Sequence, residues 1–274
     1  MKDIPFRDDH PFPRQRLFDA LHAATGHSYE GYRSEPFQRA ISHRMERQGH
    51  DDLEAYLQLL EQDTDEAQAL ERDALVGMTA FFRHPEAFKA LEKQIASHLL
   101  TSRNDTPSLQ VWVPGCSTGQ EAYSLAILLA ELQQRLAQPF SFQVAGSDLN
   151  ADAIQHAQRG LYEPRQMQSL STPLCERHFS THSEVYEICD RLRQQTLFFV
   201  HDVLSPPPFQ QIDLISCRNL LIYLRPLFKQ RILTTFSKCL SPGGLLFLGV
   251  SENAHQAPDR FTRIDDRHRI YTCP

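Results

Sequence analysis

The stretch from Leu109 to Asp148 constrains the fold of this chain most strongly. It begins with a short β-branched and aromatic run, Leu109–Pro114, and continues with a turn of small residues, Gly115–Gly119, and a long helix-forming run. A second apolar run, Ser141–Ser147, follows and ends at an aspartate. Strand, turn, helix, strand and acid in this order predict the first half of a doubly wound, Rossmann-like α/β fold that binds a nucleotide at its strand ends.

The turn differs from the dinucleotide-binding fingerprint. Its glycines, Gly115 and Gly119, have G-x-x-x-G spacing, and Glu121 stands in the first helical turn. A carboxylate there repels a pyrophosphate but suits a ligand with positive charge, which favours S-adenosylmethionine (AdoMet) over NAD. Asp148 is placed to accept hydrogen bonds from two ribose hydroxyls. Because this glycine spacing is weak by itself, a plain core strand–helix–strand unit with a tight turn remains an alternative for the segment.

The composition limits the other possibilities. With 274 residues and 41% hydrophobic content, the chain can form one large or two modest domains. The net charge of −6 argues against nucleic acid as the main partner. No apolar run reaches about 18 residues, so we expect no insertion into a membrane. The N-terminus lacks the apolar stretch of a signal peptide, and the six cysteines form no C-x-x-C pair. We therefore expect a reduced, cytoplasmic protein.

The chain divides into segments of different periodicity. Residues 1–73 carry apolar stripes at helical spacing and predict an N-terminal all-α domain, with Asp51 and Asp52 as candidate caps of its third stripe. Residues 74–83 are predicted to be a linker that contributes to the cofactor site. Residues 84–274 are predicted to be the α/β domain, interrupted at about 161–195 by a small inserted subdomain.

Strand and helix signals alternate again after the insert. Strands are predicted at 196–200, 212–216 and 245–250, the last after a Ser241–Gly244 turn, and a terminal hairpin at 260–272. That hairpin fits the AdoMet-dependent methyltransferase version of the fold better than the dehydrogenase version. By the switch-point rule, the residues at the strand ends should converge on the ligand. They are Gly115, Asp148, Asp202, Arg218 and Asn219.

Two further patterns remain open at this level. Arg39, Arg44 and Arg47, together with His43, recur at three- and four-residue steps and form one basic helix face. This face is either solvated or a docking surface for an acidic partner helix. The Cys175-x2-His178-x3-His182 pattern superficially resembles zinc spacing, but surface histidines on a helix are commoner, so we expect no metal.

Five motifs lead to a family. They are Thr79–Arg83, Gly115–Ser124, Ala145–Asp148, Cys217–Tyr223 and Leu240–Asn253. They are long, occur in order and extend over most of the chain. With them the sequence resembles the chemotaxis receptor glutamate methyltransferases, the CheR family, over roughly residues 15–272.

The resemblance implies methyl transfer from AdoMet to glutamate side chains on the cytoplasmic coiled coil of methyl-accepting chemotaxis receptors. It implies catalytic roles beside the reacting centre for Arg83 and Tyr223, and contact of the insert with the receptor. It also implies an AdoMet site lined by Thr79, Arg83, Glu121, Asp148, Asp202, Val203, Arg218 and Asn219. We expect the protein to act as a monomer.

The chain departs from the family pattern at two positions. Gln120 replaces the first of two acids that often follow the turn, and Gly77 stands where an asparagine is common. The insert is also short, which leaves capture of a receptor tethering peptide open. A methyltransferase acting on nucleic acid is disfavoured because Cys217–Leu220 replaces the [DNS]-P-P-[YF] motif. The remaining alternative is a non-catalytic AdoMet-sensing or receptor-docking module. Retention of Arg83, Glu121, Asp148 and Tyr223 argues against it.

Overall fold

A computed structural model describes residues 12–75, 79–101, 107–137, 139–182 and 184–274. The chain forms two compact units, residues 1–77 with 223–227, and residues 78–222 with 228–274. Residues 76–78 of the predicted linker, including Gly77, lie outside the described residues, as do residues 1–11.

The first unit is helical, as predicted. Its described part contains α1 (Arg14–Thr25), α2 (Glu35–Gln48), α3 (Leu53–Gln62) and α4 (Thr64–Leu75). Of the two candidate caps, Asp52 is the N-cap of α3, and its side chain accepts hydrogen bonds from two backbone N–H groups of the first turn. The helices bury the predicted apolar stripes against one another, and the core includes Leu17, Leu21, Phe37, Ile41, Tyr56, Leu60 and Leu70.

The segment 223–227 belongs to this helical unit. The backbone N–H of Arg33 donates to the carbonyl of Tyr223 at 2.8 Å, and that of Arg225 donates to the carbonyl of Gly31 at 2.8 Å. Tyr32 and Leu224 form an isolated antiparallel bridge between these two bonds.

The second unit is built on a seven-stranded sheet. Its strands are β1 (Ser108–Pro114), β2 (Ser141–Asp148), β6 (Thr196–Val200), β7 (Ile212–Cys217), β8 (Leu240–Leu248), β9 (Thr262–Asp265) and β10 (Ile270–Thr272). They stand in the order β6-β2-β1-β7-β8-β10-β9. The first five strands in this order run parallel, β10 pairs antiparallel with β8, and β9 pairs antiparallel with β10. The terminal hairpin is confirmed. The chain reverses direction across the sheet between β1 and β7, which places the topological switch point there.

Helices cover this sheet. They are α5 (Pro85–Thr101), α6 (Gln120–Arg135), α7 (Ala151–Arg159) and α10 (Pro226–Cys239). α6 is apolar almost all round, and Ala122–Ala130 are buried throughout. A helix of this kind can only lie in a core, here against the parallel strands, whose own apolar runs are nearly continuous for the same reason.

The start of β8 corrects the predicted Ser241–Gly244 turn. These residues lie inside the strand, because β8 already pairs with β7 at Leu240. The register then shifts, so that Ile212 faces Leu240 but Leu214 faces Leu245. The turn residues therefore form a bulge in a continuous strand, with Gly243 at φ +78°.

The insert forms a second, three-stranded antiparallel sheet of β3 (Leu161–Tyr162), β4 (Phe179–His182) and β5 (Val185–Ile188), with β5 in the middle. Residues 183–188 include the Val, Tyr and Ile that favour a strand, and of these six residues Ser183 lies outside the described part of the chain. The strands β3 (Leu161–Tyr162) and β4 (Phe179–His182) are short and partly polar, and alternation over so few residues predicts little. The helices α8 (Thr172–His178) and α9 (Asp190–Gln194) flank this sheet. No helix among the described residues is long and apolar enough to cross a membrane.

Candidate active site

The Thr79–Arg83 motif is a strained segment anchored by aromatic packing. Phe81 is fully buried, with its ring 4.9 Å from that of Tyr162. The backbone N–H of Phe82 donates to Ser124 Oγ at 2.8 Å. Phe82 and His84 have φ values of +47° and +63°, in the left-handed region that non-glycine residues rarely adopt. Such strain persists where surrounding contacts impose it, often at functional sites, and here it presents the half-buried Arg83.

The turn after β1 is held by the protein's own packing. Gly115 has a φ of +71°, and its N–H donates to the carbonyl of Ser147 at 2.7 Å. A Cβ at this position would lie 2.9 Å from a side-chain carbon of Leu220, in the loop after β7. The close packing of Leu220 therefore requires a glycine at this position. A contact between Gly115 and AdoMet stays a prediction.

Asp148 ends β2 as an oriented acceptor. Its Oδ2 accepts from the backbone N–H of Ser117 at 2.8 Å, and its Oδ1 accepts from that of Asn150 at 3.0 Å. Burial raises the pKa of this carboxyl, and these backbone hydrogen bonds oppose the rise. An ionised carboxylate offers about four acceptor positions, so the side chain retains capacity for hydroxyl donors.

Glu121 lies in the first turn of α6 and faces the end of β7. Its Oε1 accepts from Ser216 Oγ at 2.6 Å, and its Oε2 lies 3.3 Å from Nη1 of Arg218. Burial raises the pKa of Glu121, and the negative charge of Glu252 adds to the rise. Arg218, Ser216 and Arg83 oppose it without reversing it. The carboxylate is therefore incompletely compensated by the protein itself.

Arg218 connects this carboxylate to the Arg83 segment. Its side chain is fully buried, and its guanidinium lies 5.1 Å from the ring centre of Phe88 and 4.5 Å from that of Phe247. Nη2 donates to the carbonyl oxygen of Arg83 at 2.8 Å. Nε has no hydrogen-bond partner among the described residues. A direct contact between Arg218 and AdoMet stays a prediction.

The remaining predicted site residues differ in their placement. Asp202 follows β6, and its Oδ1 accepts from the N–H of Leu204 at 2.9 Å, while Val203 is buried. Asn219 follows β7 with a φ of +59°. Thr79 is half-buried at the edge of the described residues. Tyr223 belongs to the helical unit, so its place beside the reacting centre stays a prediction.

Two polar residues at these strand ends were missed. Ser216 was taken only as the last residue of an apolar strand, although its hydroxyl binds Glu121. Glu252 was included in a family motif but given no role, and its side chain is buried and binds the loop after β7. An acid at the end of an apolar strand was the available signal for Glu252, as it was for Asp148.

The predicted basic face is divided by the structure. Arg39, His43 and Arg47 are exposed. Arg44 was expected to be part of a docking face, but only 12% of its side chain is exposed. Its guanidinium binds Glu66 at 2.6 Å and Asp73 at 2.8 Å, so it is not available for docking. The helical spacing was correct, but helix α4 covers this one member of the face.

One of the two departures from the family pattern, Gln120, lies among the described residues. Gln120 is buried, and its Oε1 accepts from Thr118 Oγ1 at 2.7 Å within the turn.

In the zinc-like pattern, Nε2 of His178 lies 2.8 Å from Oε1 of Glu131. Among the residues that the structure describes, no group of three His, Cys, Asp or Glu side chains could hold a metal ion.

The hydrogen-bond acceptors of the site match the donors of AdoMet. Glu121, Asp148 and Asp202 place carboxylates at or beside the carboxyl ends of β1, β2 and β6. AdoMet carries an ammonium, two ribose hydroxyls and an adenine amino group, all of which donate hydrogen bonds. Among the described residues, Glu121 has only the Ser216 hydroxyl and a 3.3 Å contact with Arg218 as partners, which favours a positively charged ligand over a pyrophosphate.

Two protein-family descriptions match the chain. Residues 77–270 match the family described as CheR methyltransferase, SAM binding domain. Residues 14–75 match the family described as CheR methyltransferase, all-alpha domain.

Several curated proteins are similar along most of the chain. An uncharacterized 104.1 kDa protein of Rhodobacter capsulatus is 35% identical over 93% of this chain and 27% of its own length. The probable biofilm formation methyltransferase WspC of Pseudomonas putida is 32% identical over 88% of this chain and 56% of its own length. The chemotaxis protein methyltransferase of Escherichia coli is 30% identical over 90% of this chain and 86% of its own length.

The chain thus spans about a quarter and about half of the first two relatives. Both parts of the family description match, in the order that the two structural units follow. The chain therefore belongs to the CheR methyltransferase family.

Proposed function

We propose that this protein transfers a methyl group from AdoMet to glutamate side-chain carboxylates of chemoreceptors, which yields glutamate methyl esters and S-adenosylhomocysteine. The observation that carries the proposal is the set of acids at the strand ends, in particular the incompletely compensated Glu121, beside the strained segment of Arg83. Membership of the CheR family supports it, as does the name of the Escherichia coli relative. The proposed setting is the cytoplasm, with the chain acting as a monomer.

The chemistry requires positioning more than proton transfer. When bound, AdoMet supplies an electrophilic methyl group on a positively charged sulfur. A glutamate side chain has a pKa of about 4.3 and is already an anionic nucleophile at neutral pH, so no general base is needed. The chain must hold the attacking oxygen in line with the methyl group and limit water around it. Such positioning contributes roughly 7–11 kcal/mol in favourable cases.

The residues divide this work among them. Glu121 would hold the positively charged amino-acid end of AdoMet, and Asp148 would accept its ribose hydroxyls. Arg83 would orient the substrate carboxylate, since a guanidinium matches a carboxylate with two parallel hydrogen bonds. Arg218 would fix the backbone of Arg83, whose carbonyl it binds at 2.8 Å. The exposed residues Arg39 and Arg47 would attract an acidic receptor helix.

The test is incubation with methyl-labelled AdoMet and receptor fragments from the protein's own source. Label released as methanol by mild alkali identifies carboxyl methyl esters and supports the proposal. AdoMet binding without label on any receptor would support the non-catalytic sensing or docking module instead. Unchanged methyl transfer by Arg83→Ala at saturating substrate would remove Arg83 from the mechanism.

A further inference from the structure

A buried carboxylate joins the two loops beside the switch point. Glu252 follows β8, and its side chain is only 4% exposed. Its Oε2 accepts from the backbone N–H of Asn219 at 2.8 Å and from that of Gly249 at 2.8 Å. Its Oε1 accepts from the N–H of Ile222 at 3.3 Å. The loops after β7 and β8 are thus held together by one side chain.

The loop after β7 needs such support. Asn219 has a φ of +59°, a conformation that the chain adopts at a cost unless surrounding contacts impose it. Without the carboxylate, its N–H would lose this hydrogen bond, and a charged acceptor makes such a bond stronger than one between neutral groups. The same loop carries Arg218, which binds both Glu121 and the carbonyl of Arg83.

The backbone opposite is shaped to admit this carboxylate. A Cβ on Gly249 would lie 2.6 Å from Oε2 of Glu252 and 3.0 Å from the backbone nitrogen of Asn219. Glycine is therefore required here by the close approach of the carboxylate and the neighbouring loop. Gly249 and Glu252 form a matched pair across a tight turn, in which the N–H of Glu252 donates to the carbonyl of Gly249 at 2.9 Å.

We infer that Glu252 is a positioning residue for AdoMet binding. By receiving the N–H groups of Asn219 and Ile222, it fixes the loop on which Arg218 and Asn219 stand, and through Arg218 it fixes Glu121 and the Arg83 segment. Glu252 does not itself touch the ligand. The inference rests on the proposed function, because it assumes that this site binds AdoMet.

Glu252→Gln tests the inference, with Asp213→Asn as its matched control. Asp213 lies at the other end of β7, and its carboxylate likewise accepts a backbone N–H, that of Gln110, at 2.7 Å. Both changes replace a carboxylate by its amide. Glutamine has only one acceptor oxygen, so its NH₂ group must face an N–H of the loop. We expect AdoMet and S-adenosylhomocysteine to bind Glu252→Gln about tenfold more weakly, as measured by calorimetry.

A second readout separates positioning from general loss of stability. In Glu252→Gln the amides of residues 219–222 should exchange hydrogen faster than in the wild type, while Asp213→Asn leaves them unchanged. Wild-type affinity in Glu252→Gln, or an equal loss in Asp213→Asn, overturns the inference. A wild-type protein that binds neither ligand overturns the proposed function instead.

Gly249→Ala provides a variant that keeps the carboxylate. It serves as the test if Glu252→Gln does not fold. The added methyl group of Gly249→Ala should displace the side chain of Glu252 and also weaken AdoMet binding. A folded Gly249→Ala protein that binds AdoMet with wild-type affinity overturns the inference.

Discussion

Each unit contains a largely buried arginine–glutamate pair, and the two glutamates accept different numbers of hydrogen bonds. In the helical unit, Nε and Nη2 of Arg44 donate to the two carboxylate oxygens of Glu66 at 2.7 and 2.6 Å. The hydroxyl of Tyr56 donates to Oε1 of Glu66 at 2.6 Å. In the α/β unit, Arg218 reaches Glu121 through a single 3.3 Å contact, and its Nε has no hydrogen-bond partner in the described part of the chain.

The pKa shifts of the two carboxylates have opposite directions for this reason. Burial acts to raise the pKa of Glu66, but hydrogen bonds from Arg44, Tyr56 and Gln48 outweigh it and lower the pKa. Burial also raises the pKa of Glu121, and there the contacts with Arg218 and Ser216 are too few to reverse it. We call the Arg44–Glu66 pair saturated because both carboxylate oxygens accept from Arg44, so that removal of Glu66 would leave a buried charge poorly compensated. We call the Arg218–Glu121 pair unsaturated because the carboxylate has few partners among the described residues and can still accept hydrogen bonds from a cationic ligand.

The largest effect is expected from breaking the saturated pair. Glu66→Ala leaves Arg44 buried with only Asp73 as a charged partner and should lower the free energy of unfolding by about 3–5 kcal/mol. Urea unfolding followed by circular dichroism measures this change. Glu61→Ala is the control, because Glu61 forms a surface pair with Arg16 and its loss should change little. Equal effects of the two substitutions would contradict the distinction.

Breaking the unsaturated pair should change ligand binding instead. Glu121→Gln removes the charge that faces the cationic ligand and should weaken AdoMet binding by about 2–4 kcal/mol, or about 30- to 1,000-fold. Calorimetric titration measures the dissociation constant. Glu131→Gln, on the same helix but bound to Arg177 and His178, should leave it unchanged. Wild-type affinity in Glu121→Gln would remove this carboxylate from the ligand site.

The raised pKa of Glu121 predicts that AdoMet binding depends on pH differently in the wild type and in Glu121→Gln. AdoMet should bind more weakly as the pH falls through the raised pKa of Glu121, because the protonated acid no longer attracts a cation. The limiting slope for one proton is tenfold per pH unit. The pKa values of Asp148 and Glu252 are also raised by burial, so the informative quantity is the difference between wild type and Glu121→Gln. Identical pH profiles for the two proteins would contradict the prediction.

The smallest effect concerns the exposed part of the basic face. Charge reversal at Arg39 or Arg47 should reduce the rate constant for association with receptor fragments by about threefold to tenfold, with the difference fading as salt increases. AdoMet affinity should not change. Arg267→Glu, an exposed arginine of the other unit, is the matched control. An equal loss in Arg267→Glu would indicate a general effect of net charge, without a docking face.

Local signals were sufficient for the framework of the site. The alternation of apolar strands and helices from Leu109 onward predicted the parallel sheet, and the acids that end its strands, such as Asp148, were identified from their positions alone. This works because strand and helix periods are local, and the carboxyl ends of parallel strands meet at one edge of the sheet.

The sequence by itself therefore determined the fold class and the helical first unit, which follow from the spacing of apolar residues along the chain. It also determined the family, through the resemblance of its five motifs. Only the tertiary structure decided which charges are buried and by what. Arg44 shares the helical spacing of Arg39 and Arg47, yet α4 covers it and binds it. Glu252 is buried and bound because the loop after β7 lies against it and donates a backbone N–H to its carboxylate. The fate of a charge depends on the desolvation and the partners that distant segments provide, and no local pattern encodes these.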